Sequence, residues 1–393
     1  LSLDRINAVL NEAVESNHIA GANILVYHGD RELFYGEAGY ADIENKVPIR
    51  RDTIFRLYSM TKPVAGAAAM LLMQRGVIDL HEPVSKYLPG FANQHVATAE
   101  GRVRPKSEVR LIDLLRMTSG ISYGMEEFAS GGPGPIFSLF KEVYGRMSGD
   151  DPVTTVEFAN RVGGFDLSFH PGEHWQYGLS ADVLGAVIEV ASGKSFGQFL
   201  KDELFGPLGM KDTDFYIPPG KQARRANTYM ETENGLVLNN LNGLGIGATL
   251  DKPAAFESGG AGLASTADDY MLFARMLMRG GELGGVRILS PATVRYFTTP
   301  QLTPAQAAEL EAFSTRGLEG FNYGNLMRIL TDPGRAMGLA SPGEYGWDGA
   351  LGVYFMNAPA EKLSIVFMTQ RSGSGTLPIV RRIRNIIFTS LDI

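Results

Sequence analysis

The sequence predicts an α/β chain of the α+β type, with an antiparallel sheet built from both chain ends, flanked by helices, and a mainly helical domain inserted between them. Three observations lead there. Strand-like runs come in adjacent pairs near each terminus, the stretch between them is dominated by helical spacing, and 393 residues exceed the roughly 250–300 at which a single core stops growing. Hairpin-linked strands pair antiparallel and one hairpin is not stable alone, so the two terminal pairs are expected to share a sheet. The expected division is 1–57 with 258–393 for the sheet domain and 58–257 for the helical domain, with a site at their interface.

Leu3, Ile6, Val9, Leu10, Ala13 and Val14 recur at helical spacing behind Ser2, a candidate N-cap. Ala22 to Tyr27 and Glu32 to Tyr40 read as strands joined by the turn His28-Gly29-Asp30. Thr53 to Leu57 reads as a further strand, followed by the apolar run Val64 to Met73, a buried helix that ends at Gly76. Leu111 to Met117, Thr154 to Arg161, Ala181 to Ala191 and Phe196 to Phe205 are helical in pattern. Gly352 to Phe355 and Leu363 to Met368 form the second strand pair around the turn Asn357 to Glu361, and Leu377 to Phe388 closes the chain as an amphipathic helix. Gly131 to Pro135 and Gly243 to Gly247 read as turns or entrance loops, and the stretches 120–150 and 300–340 as pocket walls.

Composition removes several function classes. Lys and Arg total 36 against 43 Asp and Glu, a net charge of -7, which argues against nucleic acid or an anionic membrane as partner. There are no cysteines, so disulfides, thiolate metal sites and a Cys nucleophile are out. The longest apolar run falls far short of the ~18 residues of a membrane span. No export segment is visible in a chain that starts at Leu1, so the cytoplasm is expected, with periplasm or secretion the alternative if a signal was removed.

Four motifs carry possible chemistry. Gly120-Ile121-Ser122-Tyr123-Gly124 matches the G-x-S-x-G nucleophile elbow, but a helix-spaced run precedes it, Gly120 looks like a helix C-cap, and no His lies beyond His174 to complete a triad. His170-Pro171-Gly172-Glu173-His174 fits a zinc-peptidase pattern, yet Pro171 and Gly172 would break the helix it needs. Gly193-Lys194-Ser195 lacks the upstream Gly of a phosphate loop. S-x-x-K occurs at Ser59 and Lys62 and again at Ser138 and Lys141. Only the first has the right setting: it follows a strand and opens a buried helix with Pro63 in its first turn. Residues i and i+3 share a face, so Lys62 reaches Ser59 Oγ, and burial there should lower the lysine pKa enough to take a proton. The residues alone leave a second reading open, an N-cap serine beside a surface lysine.

Phe55 to Pro63 resembles the nucleophile segment of the class C β-lactamase and penicillin-binding-protein superfamily, especially its family VIII carboxylesterases. Further segments agree in order: Asp113-Leu114-Leu115 with Thr118-Ser119-Gly120, Pro171 to Tyr177, Gly206 to Met210, Gly259 to Leu263 with Ser265 to Asp269, and Trp347-Asp348-Gly349. The resemblance runs from about residue 20 to the C-terminus. It implies the β-lactamase-like fold and a site with Tyr177 as the second catalytic residue beside Ser59 and Lys62. It also implies backbone N–H groups of Ser59 and Ala350 as the oxyanion hole, and Trp347, Asp348 and Gly349 as substrate-binding. No cofactor and no metal are implied.

Two departures narrow the substrate. Leu179 stands where an Asn is common in the superfamily, which counts against β-lactam side-chain recognition. Trp347 replaces the Lys or His that helps to hold a β-lactam carboxylate, and an adjacent Asp348 facing the site would repel one. The expectation is therefore a serine carboxylesterase acting on short-chain or small apolar esters through a Ser59 acyl-enzyme, with Lys62 and Tyr177 as general base. The alternatives are a β-lactamase, a D-amino-acid peptidase or amidase, or an acyltransferase of the same fold, and, from another class, a binding or sensor module that is acylated without turnover.

Overall fold

The computed structural model describes residues 2–124, 134–313 and 317–391. Gly131 to Pro133 of the first expected entrance loop, and parts of the expected pocket walls, lie outside the described residues.

Helix α1 (Asp4–Glu15) is followed by strands β1 (Gly21–His28), β2 (Arg31–Asp42) and β3 (Val47–Pro48). The chain end supplies β6 (Phe321–Gly324), β7 (Met327–Leu330), β8 (Tyr345–Asp348), β9 (Tyr354–Ala358) and β10 (Leu363–Thr369). These form one eight-stranded sheet in the order β6-β7-β8-β9-β10-β1-β2-β3, antiparallel at every pairing. The two ends of the chain meet where β1 pairs with β10, Leu25 opposite Val366. The expected antiparallel sheet from both termini, flanked by helices and interrupted by a helical region, is the observed fold.

The apolar runs of β1 and β10 are continuous because both faces of the sheet are covered. Ile24, Val26, Ile365 and Phe367 pack under α1 and the closing helix α10 (Pro378–Ser390), while Leu25, Val366 and Met368 face the main core. There helix α8 (Ala267–Met278) lies against β1, β9 and β10. Between the sheet's two halves run α2 (Thr61–Gln74), α3 (Leu111–Arg116), α4 (Pro135–Arg146), α5 (Thr155–Gly163), α6 (Ser180–Ser192) and α7 (Phe196–Leu200). Helix α9 (Pro304–Phe313) precedes β6. The insertion begins and ends at one short ladder, β4 (Phe55–Arg56) against β5 (Ala264–Ser265).

Several boundaries differ from expectation. Ser2 Oγ does accept from Asp4 N at 3.1 Å, but the N-cap position falls on Leu3. The strand expected over Thr53 to Leu57 shrinks to two paired residues, since its neighbours bond to loops instead. The strand expected from Gly352 starts at Tyr354, because Gly352 has φ +92° and turns the chain. The C-cap of α3 is Met117, left-handed at φ 58°, not Gly120. The Phe196 to Phe205 helix is α7 continued by a wider π-turn over Lys201–Phe205.

Candidate active site

Ser59 lies in a tight 3-10 turn, Tyr58–Met60, that runs directly into α2. Tyr58 is held at φ +45°, a region that is costly for a non-glycine residue and persists only where the surroundings enforce it. The surroundings do so on three sides. Leu57 N donates to Leu263 O at 2.8 Å, Leu263 N donates to Thr61 Oγ1 at 3.1 Å, and Tyr270 OH on α8 donates to Met60 O at 2.8 Å.

Lys62, in the first turn of α2 and three residues after Ser59, is fully buried. Its ammonium spends its three donors on Ser59 Oγ at 3.2 Å, Tyr123 OH at 3.0 Å and Gly260 O at 2.9 Å. The expected lowering of its pKa does not occur. Burial, the largest single influence, pushes Lys62 down, but Tyr123, Tyr177 and Asp182 together outweigh it and hold it above the ordinary lysine value. Asp182, itself buried, accepts from Ser258 OH and from Gly260 N at 3.2 Å. Burial raises its carboxyl against the opposing pull of Lys62. The cation and the carboxylate are thus joined through the two ends of Gly260.

Tyr177 is fixed by rings and by one hydrogen bond. Trp347 Nε1 donates to its hydroxyl at 3.0 Å, and its ring centroid lies 4.5 Å from Lys62 Nζ, 5.7 Å from Tyr123 and 5.2 Å from Phe313. Gly178 explains how the two tyrosines come together, since a Cβ there would sit 1.9 Å from Ile121 O. Gly349 does the same for the turn that carries Ser59: a Cβ would sit 2.3 Å from Leu57 O, so only glycine lets the end of β8 close on that turn.

These residues border a cavity of about 470 Å³. Ser59, Ala350, Tyr123 and Tyr177 all line it, and Trp175, Phe313 and Leu244 make it largely apolar. Among the described lining residues Glu309, on α9, alone carries a charge. It binds His174 Nδ1 at 2.6 Å and accepts from Trp175 N at 2.7 Å.

The structure thus brings Ser59, Lys62, Tyr177 and Ala350 to one place. Trp347 reaches it through the indole N–H on Tyr177, whereas Asp348 accepts from Thr376 Oγ1 at 2.7 Å and is buried. Sequence reasoning missed Tyr123 and Glu309. Tyr123 stood inside the G-x-S-x-G match, which was weighed for its serine; Ser122 Oγ accepts from Gly124 N at 3.0 Å, and the neighbouring tyrosine meets Lys62. Glu309 had no local signal. Ser138 Oγ bonds Gly134 O on the outside of α4 and Ser195 caps α7; of the His170 to His174 motif, His170 Nδ1 accepts from Lys106 N on a turn while His174 reaches the cavity's edge through Glu309. Among the described residues no group of three or more His, Asp or Glu could hold a metal, and no helix is long and apolar enough to cross a membrane.

The profile of the Beta-lactamase family matches residues 6–386. An uncharacterized protein of Mycobacterium tuberculosis is 32% identical over 379 residues, covering 94% of this chain and 90% of that one. Esterase EstB of Burkholderia gladioli is 29% identical, covering 98% and 94%. Among solved structures, EstCE1, described as a hydrolase with promiscuous acyltransferase activity, superposes with a TM-score of 0.82 at 27% identity over 98% of both chains.

Proposed function

The chain belongs to the beta-lactamase family, and from that premise we propose that it is a serine carboxylesterase that hydrolyses small apolar esters through an acyl-enzyme on Ser59. The observation that carries this reading is the buried Lys62 ammonium bonded to Ser59 Oγ at the lining of an apolar cavity. The likeness to an esterase and to a hydrolase with acyltransferase activity supports it.

In this reading Ser59 Oγ attacks the ester carbonyl, and its proton passes to the pair formed by Lys62 and Tyr177. A lysine that keeps its charge favours Tyr177 oxygen as the acceptor, with Lys62 stabilising the phenolate. The N–H groups of Ser59 and Ala350 would hold the oxyanion. Collapse breaks the carbon–oxygen bond to the alcohol, which leaves with the proton from Tyr177. Water then attacks the acyl-enzyme and gives its proton to the same oxygen; as the bond from the acyl carbon to Ser59 Oγ breaks, Tyr177 passes that proton to Oγ, releasing the acid and restoring the Ser59 hydroxyl. Trp347 serves as a positioning residue for Tyr177. Gly349 gives Ala350 its place; Asp348 braces the strand end through Thr376.

The experiment is hydrolysis of p-nitrophenyl butyrate by wild type, Ser59→Ala and Ser122→Ala. Turnover lost by at least 10³-fold in Ser59→Ala and largely kept in Ser122→Ala is the expected result; the reverse pattern sinks the assignment. A second reading, acyl transfer to an alcohol, is favoured by the 27% identity to EstCE1 and by the apolar cavity. Ester product formed in the presence of added butanol would reveal it.

A further inference from the structure

A second cavity, of about 340 Å³, lies behind the loop 243–247 and is at the small end of the range for ligand sites, about 300–1,000 Å³. One loop walls both cavities: Leu244 borders the one that holds Ser59, while Gly245, Ile246 and Gly247 border the other. Val143 of α4, Met147 at its C-cap and Phe256 give the second cavity apolar lining, and Asp251 and Lys252 add a polar part. None of its lining residues takes part in the proposed chemistry.

The partition between the two cavities is short and rich in glycine. Glycines alternate along it at 243, 245 and 247, and Leu244 is held at φ +54°, where a side-chain-bearing residue is strained. It is tied by the mutual bonds of Gly243 and Ile246, at 3.1 and 2.9 Å, and by Gly245 N donating to Tyr144 OH at 2.9 Å. Direction follows from the chemistry. Tyr177 must meet the leaving alkoxide, so the alcohol lies on the side of Tyr177, Trp175 and Phe313. The acyl chain then runs the other way, toward Leu244, which packs on the same small cluster as Ala350.

We propose that the second cavity receives the hydrocarbon tail of the ester's acyl chain when Leu244 swings aside, which makes medium-chain esters the preferred substrates. This rests on the esterase reading above. Each methylene buried there contributes a factor of about 4 to kcat/KM.

The test compares kcat/KM for p-nitrophenyl octanoate and butyrate in wild type, Gly247→Leu, Ala254→Phe and Leu244→Ala. At Gly247 the nearest atom to an added Cβ is Met147 Sδ at 3.4 Å, so the leucine grows into the cavity; Ala254 fills it from another wall. Wild type should favour octanoate, the two fillings should cut the octanoate-to-butyrate ratio at least tenfold, and Leu244→Ala should raise it. An unchanged ratio in both fillings overturns the subsite. Calorimetric titration with octan-1-ol separates this from the esterase reading. Binding to wild type that both fillings abolish upholds the cavity even if no ester turns over. Butyrate hydrolysis without octanol binding or any response to the fillings overturns the subsite alone.

Discussion

At the level of single residues the proposed chemistry turns on Lys62. A buried ammonium is costly unless its donors are satisfied, and here all three are, by a serine, a tyrosine and a backbone carbonyl. Two tyrosines compete for the acceptor's role, and they are distinguishable. Tyr123→Phe removes one of three acceptors from Lys62 and should lower kcat/KM about tenfold, whereas Tyr177→Phe removes the proposed proton carrier and should cost about 10²–10⁴. Steady-state rates on p-nitrophenyl butyrate decide it, and the opposite ranking would move proton transfer to Tyr123. Ser59 and Lys62 were legible in the sequence because a spacing of three on a helix is local information. The charge on Lys62 was not, because Asp182 and Tyr123 join it only through tertiary contact. Asp182 lies 120 positions along the chain in the first turn of α6, where nothing in its neighbours marks it as a partner.

Among elements, the helices were the most legible and the strand pairing the least. Helical spacing is a property of each segment alone, so α2, α5 and α6 lie within a few residues of expectation. That β10 neighbours β1, or that β4 closes on β5, depends on contacts more than 200 residues apart. The same junction makes Gly349 sensitive. Gly349→Ala places a methyl against Leu57 O, which must push β8 off the turn that carries Ser59; displacement of about 1 Å costs on the order of 10²-fold in rate. The prediction is kcat reduced by about that factor while circular dichroism keeps the wild-type spectrum, and unaltered kcat would refute the close fit. Helix α7 carries a second test. Glu257 accepts from Gly197 N at 2.7 Å at its start, and burial, reinforced by Glu189 and Asp214, pushes its carboxyl up to about 7. A carboxyl raised in the folded state favours the protonated form. Its contribution is therefore fully present below the ordinary carboxyl range near 4.3 and is lost as pH rises through about 7. Thermal unfolding should give a higher Tm at pH 5.5 than at pH 8, and Glu257→Gln should raise the pH 8 value and shrink the difference. A Tm that rises toward pH 8 in wild type, with no effect of the substitution, contradicts it.

Electrostatics act at the scale of the whole molecule. The chain carries a net charge of -7, and the only charge among the described residues lining the Ser59 cavity is the carboxylate of Glu309. The sequence pointed to an uncharged substrate through Trp347 and Asp348, but Asp348 spends its carboxylate on Thr376 inside the fold. Glu309 supplies the negative charge instead, from the 300–340 stretch that the sequence marks as a pocket wall without singling out this residue. The inference about substrate charge therefore stands on a different residue. Like charges about 4 Å apart cost about 1 kcal/mol in water and several times that near a protein surface. An ester bearing a carboxylate, such as p-nitrophenyl monosuccinate, should accordingly be turned over at least five times more slowly than the butyrate at low ionic strength. Two changes should narrow that gap: Glu309→Gln, which removes the repelling charge, and 0.5 M salt, which shortens the screening length to less than half its value at 0.1 M. If the succinate penalty is the same in Glu309→Gln and insensitive to salt, discrimination against anionic substrates comes from the shape of the apolar wall and not from its charge.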